Sequence, residues 1–435
     1  MKYAVITFGC RVNQADSLGF EEELRAAGAT AVAPDGADLV IVNTCSVTAT
    51  ADQGARQTIR RVARANPGAR IVVTGCYATR RPDEIAALPN VARVVHNDDK
   101  PRLIPLVRSV RLQPDRDPAE RTTADRFGNG DGSCGAAIEP GVAGRTAFTL
   151  RVQTGCAEPC SYCIIPTTRG TPRSVPVNEV LREVARIAAA GFKEVALTGV
   201  HLGSYGRDLD SPSSLVELLR ALDTVRLKPD TTYERILFRI SSLEPMDCSA
   251  EIVDLVAGSG RFAPHFHLPL QHASNRVLAA MRRPYTIAQY SALVDDIRAK
   301  IPGASIGSDI IVGFPGETDD DFERLAAYLE RAPLTHLHVF PYSDRPGTVA
   351  SAMGDKVPGT VVRERGRRVR EIGRRLTEHF QNSQVGSTHW ALTLEDGTLA
   401  VTGNYLKVRI PPGRTRNEWV RLRLTSHRDG ELLGG

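Results

Sequence analysis

Thr154-Gly155-Cys156-Ala157-Glu158-Pro159-Cys160-Ser161-Tyr162-Cys163 places three cysteines within eight residues, in a C-x3-C-x2-C pattern. Structural zinc sites use four protein ligands in a tetrahedron, and no fourth cysteine or histidine is near this run in sequence. Three thiolates suit instead a cubane iron–sulfur cluster with one iron left open for another ligand. The alternative is a zinc site completed by a distant residue such as Cys134 or Cys248.

The residue before the third cysteine, Tyr162, offers a flat face on which a purine can stack. This spacing with this aromatic residue resembles the radical S-adenosylmethionine (SAM) superfamily. The resemblance implies that the amino and carboxylate groups of SAM chelate the open iron. It also implies that an electron from the cluster cleaves the sulfonium and yields a 5′-deoxyadenosyl radical.

Around this motif the sequence predicts a partial barrel. Each of six apolar strand candidates is followed by a helical pattern, two units short of a closed eight-stranded barrel. An incomplete barrel leaves an open side through which a macromolecule can reach the centre. The predicted strands cover 148–152, 194–198, 236–240, 265–270, 305–312 and 336–340, and the helices cover 177–190, 214–225, 250–257, 274–281, 287–299 and 319–331.

The segments that follow these strands meet at one rim, where barrel enzymes place their chemistry. Glycine turns there can bring backbone amides to the methionine moiety of SAM or pass under its adenine, and hydroxyl and carboxylate groups can hold its ribose or amino group. His265 and His267 share a face of one strand, and we expect them to be hydrogen-bonded interior residues. Gln271 and His272, just beyond this strand, are better functional candidates. The predicted SAM-binding residues are Tyr162, Gly199, Ser241, Glu244, Gln271 and Gly313.

The first 110 residues alternate strands and helices, which predicts an α/β domain with a parallel, doubly wound sheet. Cys10, Cys45 and Cys76 each follow one of its strands by about two residues. In a parallel sheet all strand carboxyl ends emerge at one edge, so topology alone brings the three thiols together. A second cubane with one open iron fits them, and three buried apolar cysteines are the alternative. The predicted strands are 3–8, 38–43 and 70–74, and the helices 15–27, 51–65 and 81–87.

Charge is unevenly distributed along the chain. The whole sequence carries +5, whereas the segment from Val361 onward has fourteen Lys/Arg against eight Asp/Glu, a net +6. Such an excess is expected of an element that meets nucleic acid, although a solvated basic helix looks similar. Short strands after residue 386 predict a small β-barrel. Its predicted RNA-binding residues are Tyr405, Lys407, Arg409 and Arg421.

Composition sets further limits. With 42% hydrophobic and 24% charged residues in 435, the chain resembles an ordinary globular protein of about three domains. No stretch reaches the roughly 18–20 apolar residues of a membrane span. The amino terminus lacks a signal-peptide pattern, so eight cysteines indicate a reducing, cytoplasmic setting and metal ligation rather than disulfides. We expect domains at 1–110, 146–375 and 380–435, with a polar linker at 111–145.

Taken together, the regions resemble a radical SAM methylthiotransferase, with a terminal module similar to the RNA-binding TRAM barrel. The Gly-Cys-Arg-Val-Asn-Gln run at Cys10 is most similar to enzymes that act on N6-threonylcarbamoyladenosine in tRNA. Relatives acting on isopentenyladenosine in tRNA, or on an aspartate of a ribosomal protein, are the alternatives. The motifs that carry the resemblance are 8–14, 43–48, 74–77, 156–166, 313–318 and 404–408.

The resemblance implies how two 4Fe-4S clusters divide the work. The cluster on Cys156, Cys160 and Cys163 reduces SAM, and the resulting radical takes a hydrogen from the substrate. The auxiliary cluster on the N-terminal cysteines presents sulfur, methylated by a second SAM, for transfer to carbon 2 of adenosine 37, next to the anticodon. No catalytic side chain beyond the cluster ligands is expected. The implied partners are tRNA and an electron donor such as flavodoxin or ferredoxin, and the implied enzyme is a monomer without membrane association. The non-enzymatic alternative is an RNA-binding iron–sulfur protein, which would not cleave SAM.

Overall fold

The structure is a computed structural model that describes residues 1–108, 146–225, 236–428 and 430–435. The predicted linker 111–145, with Cys134, lies outside these residues. Contacts divide the chain into two compact units. Of the described residues, the first contains 1–108, Thr154–Glu158 and Cys163–Pro172, and the second contains 146–153, Pro159–Tyr162 and those from Arg173 onward. No disulfide joins the seven described cysteines, and no described helix combines the length and apolar character that a bilayer crossing requires.

The first unit is built on a five-stranded parallel sheet in the order β2-β1-β3-β4-β5. Successive residues of its central strand point to opposite faces: Val40 and Val42 pack under one helix layer, and Leu39 and Ile41 pack under the other. The sheet is therefore covered on both sides, which confirms the doubly wound prediction. The strands are β1 (Lys2–Thr7), β2 (Thr30–Ala31), β3 (Leu39–Thr44), β4 (Arg70–Gly75) and β5 (Val91–Val95), and the helices are α1 (Arg11–Ala26), α2 (Ala49–Ala65), α3 (Cys76–Arg80), α4 (Pro82–Ala86) and α5 (Leu103–Arg108).

The second unit begins with the partial barrel. Two three-stranded parallel sheets, β6-β9-β10 and β11-β12-β13, are linked by a bridge between Phe238 and Phe262. The predicted strand at 265–270 ends early, at His267, because Pro269 has no N–H to donate to the ladder. The strands are β6 (Phe148–Arg151), β7 (Gln153–Thr154), β8 (Arg173–Ser174), β9 (Glu194–Thr198), β10 (Leu237–Ile240), β11 (His265–His267), β12 (Ser305–Val312) and β13 (His336–Pro341).

Helices follow these strands as the sequence predicted, and their starts have local causes. Ser214, Thr286 and Thr318 each cap a helix and form a capping box with the residue three positions later. The helices of this unit are α7 (Val177–Ala189), α8 (Leu215–Thr224), α9 (Ala250–Gly258), α10 (Asn275–Ala280), α11 (Ile287–Lys300), α12 (Asp319–Leu329) and the long basic α13 (Gly359–Ser383), whereas α6 (Ile165–Arg169) belongs to the first unit.

The chain ends in a closed five-stranded barrel, as the sequence predicted, with strand order β14-β15-β16-β18-β17. Its core includes Phe380 from α13, so this helix is continuous with the barrel. The strands are β14 (Thr388–Leu394), β15 (Leu399–Thr402), β16 (Lys407–Arg409), β17 (Trp419–Arg428) and β18 (Glu431–Gly434).

The C-terminal barrel contacts the partial barrel in part through a buried arginine, Arg239, which is itself ion-paired within the partial barrel. Arg239 is 1% exposed and donates to both carboxylate oxygens of Glu194, from Nε at 3.0 Å and from Nη2 at 3.3 Å. Its Nη1 donates to the Gly403 carbonyl oxygen at 2.9 Å. The Tyr405 ring lies over this guanidinium at 4.7 Å and stacks on His265 at 4.9 Å.

Candidate functional site

The three N-terminal cysteines lie at the carboxyl edge of the parallel sheet. Cys10 caps the start of α1 after β1, Cys45 directly follows β3, and Cys76 directly follows β4. Burial, together with the nearby Cys10 and Cys76 thiols, raises the pKa of the Cys45 thiol to about 12. Closely spaced thiols suit coordination of metal ions, whose charge compensates that of the thiolates.

Two glycines make this close approach possible. Gly9 has φ +84°, and a Cβ there would lie 2.5 Å from both Cβ and Sγ of Cys45. Gly75 has φ +100°, and a Cβ there would lie 2.2 Å from the Thr44 carbonyl oxygen. Both positions therefore require glycine, for backbone conformation and for space.

Two buried cations stand beside these thiols. Arg169, with a side chain 3% exposed, donates from Nη2 to Asn13 Oδ1 at 2.5 Å and lies 3.5 Å from Asp16 Oδ2. Lys100 donates from Nζ to Asp16 Oδ2 at 2.6 Å. Burial alone would raise the pKa of Cys76, but Arg169 and Lys100 outweigh it and lower that pKa. Neither cation was predicted from the sequence.

A buried amide adds a third polar group at Cys76. Asn97 Nδ2 lies 3.7 Å from Cys76 Sγ and donates to the Thr168 carbonyl oxygen at 2.7 Å. Among the described residues, the buried Asn97 Oδ1, Asn43 Oδ1 and Thr74 Oγ1 have no hydrogen-bond partner. Thiols, cations and unsatisfied polar atoms at one sheet edge fit a bound anionic iron–sulfur group.

The C-x3-C-x2-C loop divides between the two units. In the first unit, the Cys156 N–H donates to the Gly170 carbonyl oxygen at 3.0 Å. Gly155, at φ +77°, passes so close that a Cβ would lie 1.9 Å from the Thr171 carbonyl oxygen. Cys163 also belongs to this unit, whereas Cys160 belongs to the second. All three cysteines are partly exposed.

Within the second unit, Arg283 connects the cysteine loop to the predicted SAM residues. Its Nη1 lies 3.3 Å from Cys160 Sγ, and its Nη2 donates to Glu244 Oε2. Burial would lower the pKa of this guanidinium, but Tyr162, Tyr285 and Cys160 together raise it. Glu244 is therefore held by a fixed cation, a partner that the sequence analysis missed.

The other predicted SAM-binding residues differ in their burial and in their hydrogen-bond partners. Ser241 Oγ is buried and has no protein partner among the described residues, which suits a ligand hydroxyl. Gln271 is 8% exposed with φ +67°. In the turn that begins at Gly199, the Val200 and His201 N–H groups both donate to Gln153 Oε1 at 2.9 Å, so these two amides already have a protein acceptor.

The two remaining predicted SAM-binding residues, Tyr162 and Gly313, are packed against neighbouring side chains. Tyr162 meets the buried Phe314 edge-on, with ring centroids 6.5 Å apart. Gly313, at φ +78°, donates its N–H to Glu317 Oε2 at 2.7 Å. A Cβ at this glycine would lie 2.4 Å from a methyl of Val362 in α13, so the turn is packed on that side.

The histidines near β11 separate into two kinds. His272 is 0% exposed, and burial lowers its pKa to about 4. Its Nδ1 accepts the Ser274 N–H at 2.9 Å, so the ring has a structural partner. His267, in contrast, contacts Asp309, and imidazole hydrogen bonds from His267 and His338 outweigh burial and hold the pKa of that carboxyl well below its usual range.

The predicted RNA-binding residues occupy different environments. Lys407, Arg409 and Arg421 are exposed on β16 and β17, although Arg409 pairs with Glu431 at 2.8 Å. Tyr405 is 43% exposed and uses its ring faces for the contacts to His265 and Arg239. Trp390 was not among the predicted residues; it is 51% exposed and pairs directly with Arg421 across β14 and β17.

Comparison with known proteins agrees with this architecture. The model of the uncharacterized protein family UPF0004 matches residues 2–96, and that of the radical SAM superfamily matches residues 150–329. A solved structure of the radical S-adenosylmethionine methyltransferase TsrM from Kitasatospora setae is similar in fold, with TM-score 0.56 and 17% identity over 80% of this chain and 77% of that chain.

Two curated relatives are similar over most of the sequence. The threonylcarbamoyladenosine tRNA methylthiotransferase MtaB of Aquifex aeolicus (strain VF5) is 36% identical, covering 94% of this chain and 96% of its own. The tRNA-2-methylthio-N(6)-dimethylallyladenosine synthase of Corynebacterium efficiens (strain DSM 44549 / YS-314 / AJ 12310 / JCM 11189 / NBRC 100395) is 34% identical, and the match covers 89% of this chain and 73% of that protein. The chain therefore belongs to the radical SAM methylthiotransferase family.

Proposed function

We propose that this enzyme places a methylthio group on carbon 2 of N6-threonylcarbamoyladenosine at position 37 of tRNA. The near full-length similarity to the MtaB enzyme of Aquifex aeolicus is the observation that carries the proposal. The similarity to the dimethylallyladenosine synthase of Corynebacterium efficiens makes that base the second candidate. Mass spectrometry of tRNA nucleosides from cells with and without the gene tests the choice, because only the modified base lost on deletion can be the product.

Membership of the radical SAM superfamily implies SAM and one 4Fe-4S cluster, which together supply the carbon radical that removes a hydrogen from the substrate. We propose Cys156, Cys160 and Cys163 as the cluster ligands. Arg283 is suited to orient this site, since it holds Cys160 on one side and Glu244 on the other. Ser241 offers a buried hydroxyl to the SAM molecule.

We propose further that Cys10, Cys45 and Cys76 hold a second 4Fe-4S cluster. The crowding of their thiols and the buried Arg169 and Lys100 support this, because positive charge stabilises an anionic cluster. Cys45 and Cys76 are buried, whereas Cys10 is exposed. We also propose that tRNA and an electron donor such as flavodoxin or ferredoxin are the partners of this enzyme. We propose that it is a cytoplasmic monomer with domains at 1–110, 146–375 and 380–435.

Gly9→Ala is expected to remove the second cluster selectively. The new Cβ would collide with Cys45, and the left-handed conformation costs a further ~1–2 kcal/mol. Anaerobically reconstituted protein should then fall from about eight to about four irons per chain. Gly19→Ala is the matched control, since a Cβ at Gly19 meets nothing within 4 Å and should leave iron unchanged. Equal iron content in both variants would contradict the assignment of the second cluster. Zinc in place of iron in the wild-type protein would contradict both cluster assignments.

Trp390→Ala is expected to weaken tRNA binding about tenfold, because one stacked base contributes roughly 1–3 kcal/mol. Lys407→Gln should weaken binding uniformly and reduce the salt slope by about one. Fluorescence anisotropy with tRNA at several salt concentrations measures both. Arg374→Gln is the control, since this exposed arginine already pairs with Glu371 and Glu378. Unchanged affinity in the first two variants would argue against the C-terminal barrel as an RNA surface.

A further inference from the structure

One face of the sheet β11-β12-β13 brings together two imidazoles and one carboxylate. His267 Nε2 lies 3.0 Å from Asp309 Oδ1, and His338 Nδ1 lies 3.2 Å from the same oxygen. One ligand atom from each residue can be chosen so that all three lie within 4.8 Å of one another. We propose that His267, Asp309 and His338 form a binding site for a first-row divalent cation, independent of both cysteine trios.

The spacing fits shared coordination. Imidazole nitrogen and carboxylate oxygen bind such ions at about 2.0–2.2 Å, so ligands on neighbouring corners of a tetrahedron or octahedron lie roughly 3.0–3.5 Å apart. The two contacts to Asp309 already have this separation. A bound ion would replace the two hydrogen bonds that Asp309 now accepts, and the two imidazole ligand atoms lie within 4.8 Å of each other.

Strand geometry holds the group in place. Asp309 pairs directly with His338 between β12 and β13, and His267 pairs with Gly307 between β11 and β12. A Cβ at Gly307 would lie 2.0 Å from His336 Nε2, so the glycine makes room for the His336 ring. That ring packs against His267 and His338, with centroids 6.2 and 5.5 Å away. Ligands on strands with packed rings are preorganised.

The group is open on one side. The His338 side chain is 56% exposed, against 25% for Asp309 and 12% for His267. A cation held by three protein ligands would therefore keep positions for water or for an oxygen of a substrate. Two nitrogens with one carboxylate favour ions such as Fe²⁺, Zn²⁺ or Mn²⁺ over Mg²⁺ or Ca²⁺, which prefer oxygen alone.

Mn²⁺ is the probe of choice, because it competes least for thiolates and leaves the iron–sulfur clusters intact. The full-length enzyme with its clusters in place and oxidised is titrated with MnCl₂, and the unbound ion is followed by its electron paramagnetic resonance signal. Wild-type enzyme should take up one Mn²⁺ per chain saturably. Asp309→Asn and His338→Ala should each weaken this binding at least tenfold. His427→Ala, which removes a half-buried histidine from β17, should leave it unchanged.

The variants are chosen to keep the fold. Asp309→Asn preserves side-chain shape, and His338 is largely exposed, so circular dichroism of both should match wild type. Absence of saturable Mn²⁺ uptake by wild-type enzyme would overturn the proposal. So would equal uptake by wild type and Asp309→Asn, since His267, Asp309 and His338 would then be only a hydrogen-bonded group.

Discussion

Replacing Cys156, Cys160 and Cys163 together by alanine should abolish the reductive cleavage of SAM. The three thiols are the proposed ligands of the cluster that supplies the electron, and no neighbouring cysteine in the sequence can substitute for them. The cysteines at the N-terminal sheet edge are untouched, so about four irons per chain should remain. Release of 5′-deoxyadenosine by the dithionite-reduced enzyme, measured by chromatography with and without tRNA, reports the loss.

Cys248→Ala provides the matched control for this experiment. Cys248 is buried apart from both trios, and burial raises the pKa of its thiol to about 12, as expected for a packing residue. This variant should release 5′-deoxyadenosine at the wild-type rate. Continued cleavage by the triple variant would show that the C-x3-C-x2-C motif does not hold the reducing cluster.

Arg239→Met is expected to lower the free energy of unfolding by about 3–5 kcal/mol, because it leaves the Glu194 carboxylate buried without its partner. The Gly403 carbonyl oxygen and the Tyr405 ring would lose their cation as well. Urea denaturation followed by circular dichroism measures the change. Removal of the tail beyond Gln384 would damage the same contacts, which is why single substitutions test RNA binding more cleanly.

Two further variants show whether the unpaired Glu194 carboxylate causes the loss in the free energy of unfolding. Replacing Glu194 as well, in Glu194→Met/Arg239→Met, removes both charges and should recover much of the lost stability. Arg374→Met, at an exposed arginine of α13, should change stability by less than about 0.5 kcal/mol. Equal losses in the single and double variants would mean that packing, rather than an unpaired carboxylate, accounts for the effect.

Periodicity and topology made much of this fold predictable. The buried run Leu39–Thr44 identifies a central strand, and parallel strand ends were enough to bring Cys10, Cys45 and Cys76 together. The edge strand β5 was missed, since Val91–Val95 is short and interrupted by an arginine. The predicted domain boundaries and the individual SAM and RNA contacts stay predictions.

Buried polar partners were harder to foresee. Arg169, Lys100 and Arg283 are single basic residues with no periodic signature, and their roles arise only once folding buries them. The acceptor of the Val200 and His201 amides was hard to foresee for a similar reason, because Gln153 comes from a different part of the chain. Trp390 had a detectable signal, an aromatic among strand residues, but only the structure shows that it faces outward.

The attachment of the terminal barrel sets a minimum length for any RNA that engages both ends of this fold. That barrel touches Gly303, just before β12, whereas the Gly313 turn follows the same strand. Eight residues at about 3.3 Å each separate the two ends by about 25 Å. A lone nucleoside cannot bridge such a gap, so the enzyme should favour a folded stem-loop over its isolated base.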